Sequence, residues 1–148
     1  MFHRRKFRGW FPFFILLFGV GMLGAMRENR AGGDVSWAPS YESGRRIALR
    51  TNRPLLLSFH TPGCGWCAKM DTETFTDPAV VDIMKKFVCV RVDSDQNPAL
   101  ISKFNVESYP LTLIANPDGK TLLKIPDFSR SDQFAPILKA VLDAYKKP

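Results

Sequence analysis

Two cysteines three residues apart, Cys64-Gly65-Trp66-Cys67, stand where an apolar run gives way to a helical one. Pro54-Leu55-Leu56-Leu57-Ser58-Phe59 reads as a buried strand, and Ala68-Lys69-Met70-Asp71-Thr72-Glu73 reads as a helix. At such a junction the pair can close a small ring. Its first sulfur meets helix amides and the positive end of the helix dipole, which stabilise a thiolate. A dithiol–disulfide exchange site requires this arrangement. Zinc sites share the bare spacing, so the strand-to-helix context carries the argument.

The 148 residues suffice for one ordinary domain and a tail. A formal charge of +7 points to nucleic acid until it is apportioned. Residues 1–33 hold six Lys or Arg and one acid, whereas the other 115 residues hold 15 basic and 13 acidic groups. The globular part is nearly neutral, so no nucleic-acid partner is expected.

The basic balance belongs to a targeting segment. Residues 1–9 form a positive n-region with Arg4, Arg5, Lys6 and Arg8, and Trp10 to Met26 is an uncharged, mostly apolar run of 17 residues. As a helix that run reaches about 25 Å, at the short end of a bilayer span. An uncleaved signal-anchor is the preferred reading, because the run is long for a signal peptide and no clean small-x-small site follows. A cleaved signal is the rival. Four basic residues precede the run, against Arg27 and Arg30 just after it, which leaves the N-terminus cytoplasmic. Both readings put a domain spanning 36–148, after a hinge at 27–35, on the extracytoplasmic side, in the periplasm or an equivalent exported compartment. Three cysteines there fit one redox pair and a spare.

Along that domain, Ser40 caps a helix running to about Thr51, with Trp37, Tyr41, Ile47 and Ala48 as docking residues. Leu55 to Phe59 is the first central strand. Asp77 and Pro78 restart a helix to about Lys86, as N-cap and first helical residue. Phe87 to Val92 is a β-branched strand, and Asn97-Pro98 opens a short helix. Leu111–Ile114 and Thr121–Ile125 flank the turn Asn116-Pro117-Asp118-Gly119 as an antiparallel hairpin. Asp132 to about Lys146 is the last helix. Strands separated by helices imply a parallel pair, and the hairpin adds two antiparallel strands. The predicted fold is α/β, a mixed four-stranded sheet with helices on both faces.

Four segments, in order, resemble the thioredoxin superfamily, nearest its exported thioredoxin-like branch. They are Arg53–Phe59, Cys64–Met70, Val90–Asp93, and Ser108-Tyr109-Pro110-Leu111-Thr112 followed by Asn116–Lys120. The resemblance covers roughly residues 36–147. It implies that Cys64 attacks a substrate disulfide and that Cys67, one turn further in, resolves the mixed disulfide. It also implies that Pro110 follows a cis peptide bond, where spacing alone admits cis or trans, and that Gly65, Trp66, Tyr109 and Pro110 contact substrate.

Two positions depart from that pattern. Ser58 stands where thioredoxin has a buried acid six residues before the first cysteine, so a carboxylate base is missing. Gly63 stands where a tryptophan usually precedes that cysteine. Lys69 reads as a solvated helix lysine over one that favours a thiolate. Cys89, mid-strand among valines, reads as a buried small hydrophobe. His60 with the two cysteines offers three metal ligands and no fourth, a poor structural zinc site.

The function expected is a thiol–disulfide oxidoreductase, more a reductase than an oxidant, with no cofactor. Its partners would be exported proteins carrying disulfides or thiols, a membrane or soluble electron donor, and the membrane itself through the N-terminal helix. The alternatives are a non-catalytic thioredoxin-fold binding module, chaperone-like or copper-handling, and a purely structural disulfide.

Overall fold

A computed structural model describes residues 34–145. The predicted n-region, the apolar run and most of the hinge lie outside those residues, as does Lys146. Among the described residues no helix is long and apolar enough to cross a membrane.

Nine elements were expected and a tenth is present. They are β1 (Trp37–Ala38), α1 (Tyr41–Thr51), β2 (Leu55–His60), α2 (Gly65–Lys69), α3 (Pro78–Met84), β3 (Val88–Asp93), α4 (Pro98–Phe104), β4 (Leu111–Ala115), β5 (Thr121–Pro126) and α5 (Ser131–Tyr145). A π-helical segment, Met70–Thr74, continues α2. The sheet has five strands in the order β1-β3-β2-β4-β5, which corrects the expected four. The addition is β1, which pairs parallel to β3 with Trp37 opposite Cys89. Two residues are too few to show an alternating pattern, so this strand left no periodic signal. As expected, β2 and β3 run parallel and β4–β5 is an antiparallel hairpin.

Local chemistry accounts for the element ends. The Ser40 hydroxyl accepts the Ser43 N–H at 3.1 Å at the start of α1. The Asp77 carboxylate accepts the Ala79 and Val80 amides at 2.9 and 3.4 Å at the start of α3. Such caps satisfy amides that have no partner within the helix. Gly44 lets α1 lie close on the sheet, since a Cβ there would run into Val90 Cγ2.

Strand alternation sorts the core into two layers. Leu55, Leu57 and Phe59 of β2 join Val88, Val90 and Val92 of β3 and Leu111 and Leu113 of β4 under α1 and α4. Leu56, Cys89 and Ile114 face the other way, against Met70, Phe75, Val80, Met84, Phe134 and Leu138 of the π segment, α3 and α5. Trp37 belongs to this second layer, edge-on to Phe75 at 5.5 Å, and not beside α1 as expected. Ser58 and His60 continue the Leu56 row, which directs them to the face that carries α2.

Candidate active site

β2 ends at His60, and a tight turn with the Cys64 N–H on the Thr61 carbonyl at 3.3 Å delivers the chain to α2. Gly63 has φ +75° in that turn, a left-handed backbone that side chains disfavour. This geometry is a physical reason why glycine, and not tryptophan, precedes Cys64. Cys64 is the N-cap of α2, with extended backbone, and its Sγ accepts the Cys67 N–H at 3.1 Å. Cys64 and Cys67 form a disulfide with their Cα atoms 5.2 Å apart.

The two sulfurs differ in access. Cys64 is half-buried at the helix start, and Cys67 is 7% exposed. On reduction, the amide that reaches the Cys64 sulfur becomes a donor to a thiolate, which favours ionisation of that sulfur. The arrangement can therefore hold one thiol ready for attack and a second close behind it.

Two cavities flank the pair. One, of about 290 Å³, is lined by Trp66, Tyr109, Pro110, Asp127 and Phe128. The Tyr109–Pro110 peptide is cis, as the resemblance implies. Trp66 is 58% exposed and its ring lies 5.6 Å from that of Phe128, so an open aromatic surface adjoins the cysteine helix. The other cavity, of about 420 Å³, brings His60 and Asp71 to the same groove as Cys64 and Cys67. Of the residues singled out in sequence, Cys64, Gly65, Trp66, Cys67, Tyr109 and Pro110 all gather around these two cavities.

Lys69 keeps the solvent exposure expected of a helix lysine and adds ring contacts that were not expected. Its ammonium sits 5.2 Å from the Trp66 ring centre and 5.0 Å from that of Phe128, and 3.9 Å from Glu73. Such cation–π contacts hold the exposed aromatics in place. Asp71 is gripped by Arg91 through two contacts, 2.8 and 3.0 Å, and the Arg91 guanidinium stacks 4.6 Å above Trp37. Sequence reasoning missed Phe128, Asp127 and Asp71. Asp71 lies two helical turns after Cys64 and could have been placed on its helix. Phe128 sits in the loop after β5, which only the tertiary fold brings to Trp66. Among the described residues, no three His, Cys, Asp or Glu side chains converge to hold a metal ion.

Cys89 is the free cysteine, buried in the second layer with its thiol on the Met84 carbonyl at 3.5 Å. Burial pushes its pKa from 9.0 up to about 12, partly offset by the positive charge of Arg53. Because the folded value lies above the unfolded one, the stability this thiol contributes is present below pH 9.0. It is lost as pH rises through about 12. Urea unfolding across that window should show a loss approaching about 1.4 kcal/mol per pH unit from this group. Cys89→Ala should flatten the curve there, and an unchanged slope would contradict the assignment.

A family model described as "Thioredox_DsbH: Protein of unknown function, DUF255" matches residues 26–148. The Thiol:disulfide interchange protein DsbD of Ralstonia nicotianae is 29% identical over 109 residues, covering 70% of this chain and 18% of that protein. The Thioredoxin-related protein DsbJ of Chlamydia pneumoniae is 27% identical over 116 residues, covering 68% of this chain and 33% of that protein. The chain thus spans a third or less of these curated relatives. Among solved structures, a DsbH oxidoreductase matches with a TM-score of 0.66 at 20% identity, over 80% of this chain and 89% of that one. A thioredoxin from Thermus thermophilus matches with a TM-score of 0.60 at 23% identity, over 78% and 90%. These likenesses establish the thioredoxin-like fold, and the interchange-protein relatives are similar to the part of this chain that carries the Cys64–Cys67 pair. With the family model running across most of its length, the chain belongs to the DsbH-type family of thioredoxin-like proteins.

Proposed function

We propose that this domain exchanges disulfides with exported proteins and runs chiefly as a reductase. The observation that carries the reading is the unequal access of two paired sulfurs at one helix start. Cys64, half-buried and amide-bonded, attacks a substrate disulfide. Cys67, nearly enclosed, then displaces the substrate from Cys64 and closes the ring. The open aromatic surface of Trp66 with the Tyr109–Pro110 loop receives an extended segment of substrate around its disulfide.

The names of the relatives support an exported setting, since interchange and thioredoxin-related Dsb proteins are similar to this chain over about two thirds of its length. The charge asymmetry around Trp10–Met26 supports a membrane anchor with the domain on the extracytoplasmic side, where a membrane or soluble donor supplies its electrons.

The testing measurement is the reduction potential of the full chain, from glutathione equilibration and thiol trapping. A value of about −270 to −220 mV is expected and makes the domain an electron donor. A value near about −120 mV would make it an oxidant and overturn the direction proposed.

A further inference from the structure

Resolution of a mixed disulfide needs a place for a proton. Cys67 must shed its S–H proton to attack, and a group in the groove must take it. The position beneath the pair on the same sheet face is Ser58, which is 5% exposed and has no useful basicity. The cavity that holds both cysteines offers two other titratable side chains, His60 and Asp71. Asp71 is tied in a two-point ion pair to Arg91, so both of its carboxylate oxygens are already engaged. His60 makes no side-chain hydrogen bond or ion pair to another described residue, and it stands two residues beyond Ser58 on the same face of β2.

We infer that His60 accepts the Cys67 proton during resolution and returns it to the departing substrate sulfur. This inference rests on the exchange reading above. In the step, the Cys67 S–H proton passes to the imidazole while the Cys67 sulfur bonds to Cys64 Sγ. The bond between Cys64 and the substrate sulfur breaks, and its electron pair leaves on that sulfur, which takes the proton from the imidazolium. The pair loses two electrons and the substrate disulfide gains two.

The surroundings suit the role. In β3, Asp93 is the register partner of His60, a carboxylate beside an imidazole that must become charged. It already accepts the Asp95 and Gln96 amides at 2.9 and 3.3 Å, which keeps it in place. In the shared cavity the other charged side chain is Asp71 of the π segment, held by Arg91 of β3. Pairing of β2 with β4 ends at Phe59–Leu111, one residue before His60. An imidazole is the side chain whose charge changes most readily near neutral pH.

The test reacts the reduced full chain with one equivalent of dithiobis(nitrobenzoate) and follows release of two thionitrobenzoate ions. The first release reports attack by Cys64 and the second reports resolution by Cys67. Cys89, buried with its pKa near 12, stays silent. In His60→Gln the second phase should slow about a hundredfold near pH 7, and its rate should climb more steeply with pH than in the wild type. The first phase should keep its rate, and His60→Glu should restore part of the second. Equal second phases in wild type and His60→Gln would overturn the role of His60 and leave exchange standing. Loss of the first phase in the wild type would sink the exchange reading and this one with it.

Discussion

Replacing Cys67 with serine should end turnover while leaving attack intact, so that a mixed disulfide between Cys64 and its substrate accumulates. The reason is the order of the two sulfurs along α2. Cys64 at the N-cap keeps its access and its approach to backbone amides. The nearly enclosed residue at position 67 is the group that would free it. Reduction of a protein disulfide such as that of insulin should fall by about 10³-fold or more, some 4 kcal/mol of transition-state stabilisation. On a non-reducing gel the variant should carry substrate as a covalent adduct. Cys64→Ser should lose activity to the same degree and carry no adduct. If Cys67→Ser turned over at the wild-type rate, or trapped substrate no better than Cys64→Ser, the assignment of attack and resolution would be wrong.

The largest stability effect should come from Phe59→Ala. Phe59 is fully buried on β2, one residue before the strand ends at His60, and its ring meets Phe104 of α4 edge-on at 5.9 Å. Truncation removes an aromatic from the layer beneath α1 and α4 and leaves a cavity that strands on both sides of β2 cannot close. A cost of about 3–5 kcal/mol is expected, against a total stability of about 5–15 kcal/mol for an ordinary domain. The melting temperature should fall by on the order of 10–20 °C. Phe59→Leu, which keeps most of the volume, should cost under about 1.5 kcal/mol. A loss below 1 kcal/mol in the alanine variant would show that β2 is not the mechanical centre of the sheet.

These two results separate chemistry from support. The cysteines lie at the start of α2, beyond the end of β2, and their sulfurs are the atoms that exchange. Phe59 lies in the core layer beneath α1 and α4, and it holds the strand that leads to the cysteines. The cation–π stack of Lys69 on Trp66 and Phe128 lies between these extremes, since it orders a surface that is open to solvent.

Much of the fold was legible in the chain because its signals are local. Ser40, Asp77 and Pro78 mark helix starts through their own backbone chemistry, and Leu55–Phe59 declares burial on both sides by lacking polar alternation. The cysteine pair was equally plain, since the strand before it and the helix after it are adjacent in sequence. β1 was not legible, because two residues have no period and Trp37–Ala38 is a strand only through its pairing with β3. Trp37, expected to dock α1, packs against Phe75 instead, because the side a strand residue takes is set by register.

By itself, the sequence determined the order of helices and strands, the strand-to-helix seat of Cys64 and Cys67, and the thioredoxin-like character of the domain. The first two depend on contacts within about ten residues or on a pattern repeated along one element, and the third rests on the resemblance carried by four segments in order. Tertiary structure alone decided that Phe128 faces Trp66, that Arg91 holds Asp71, and that His60 shares a groove with both cysteines. Those contacts join segments far apart in the chain or depend on which face of a strand a side chain takes, and a single-residue change of register would turn each of them away.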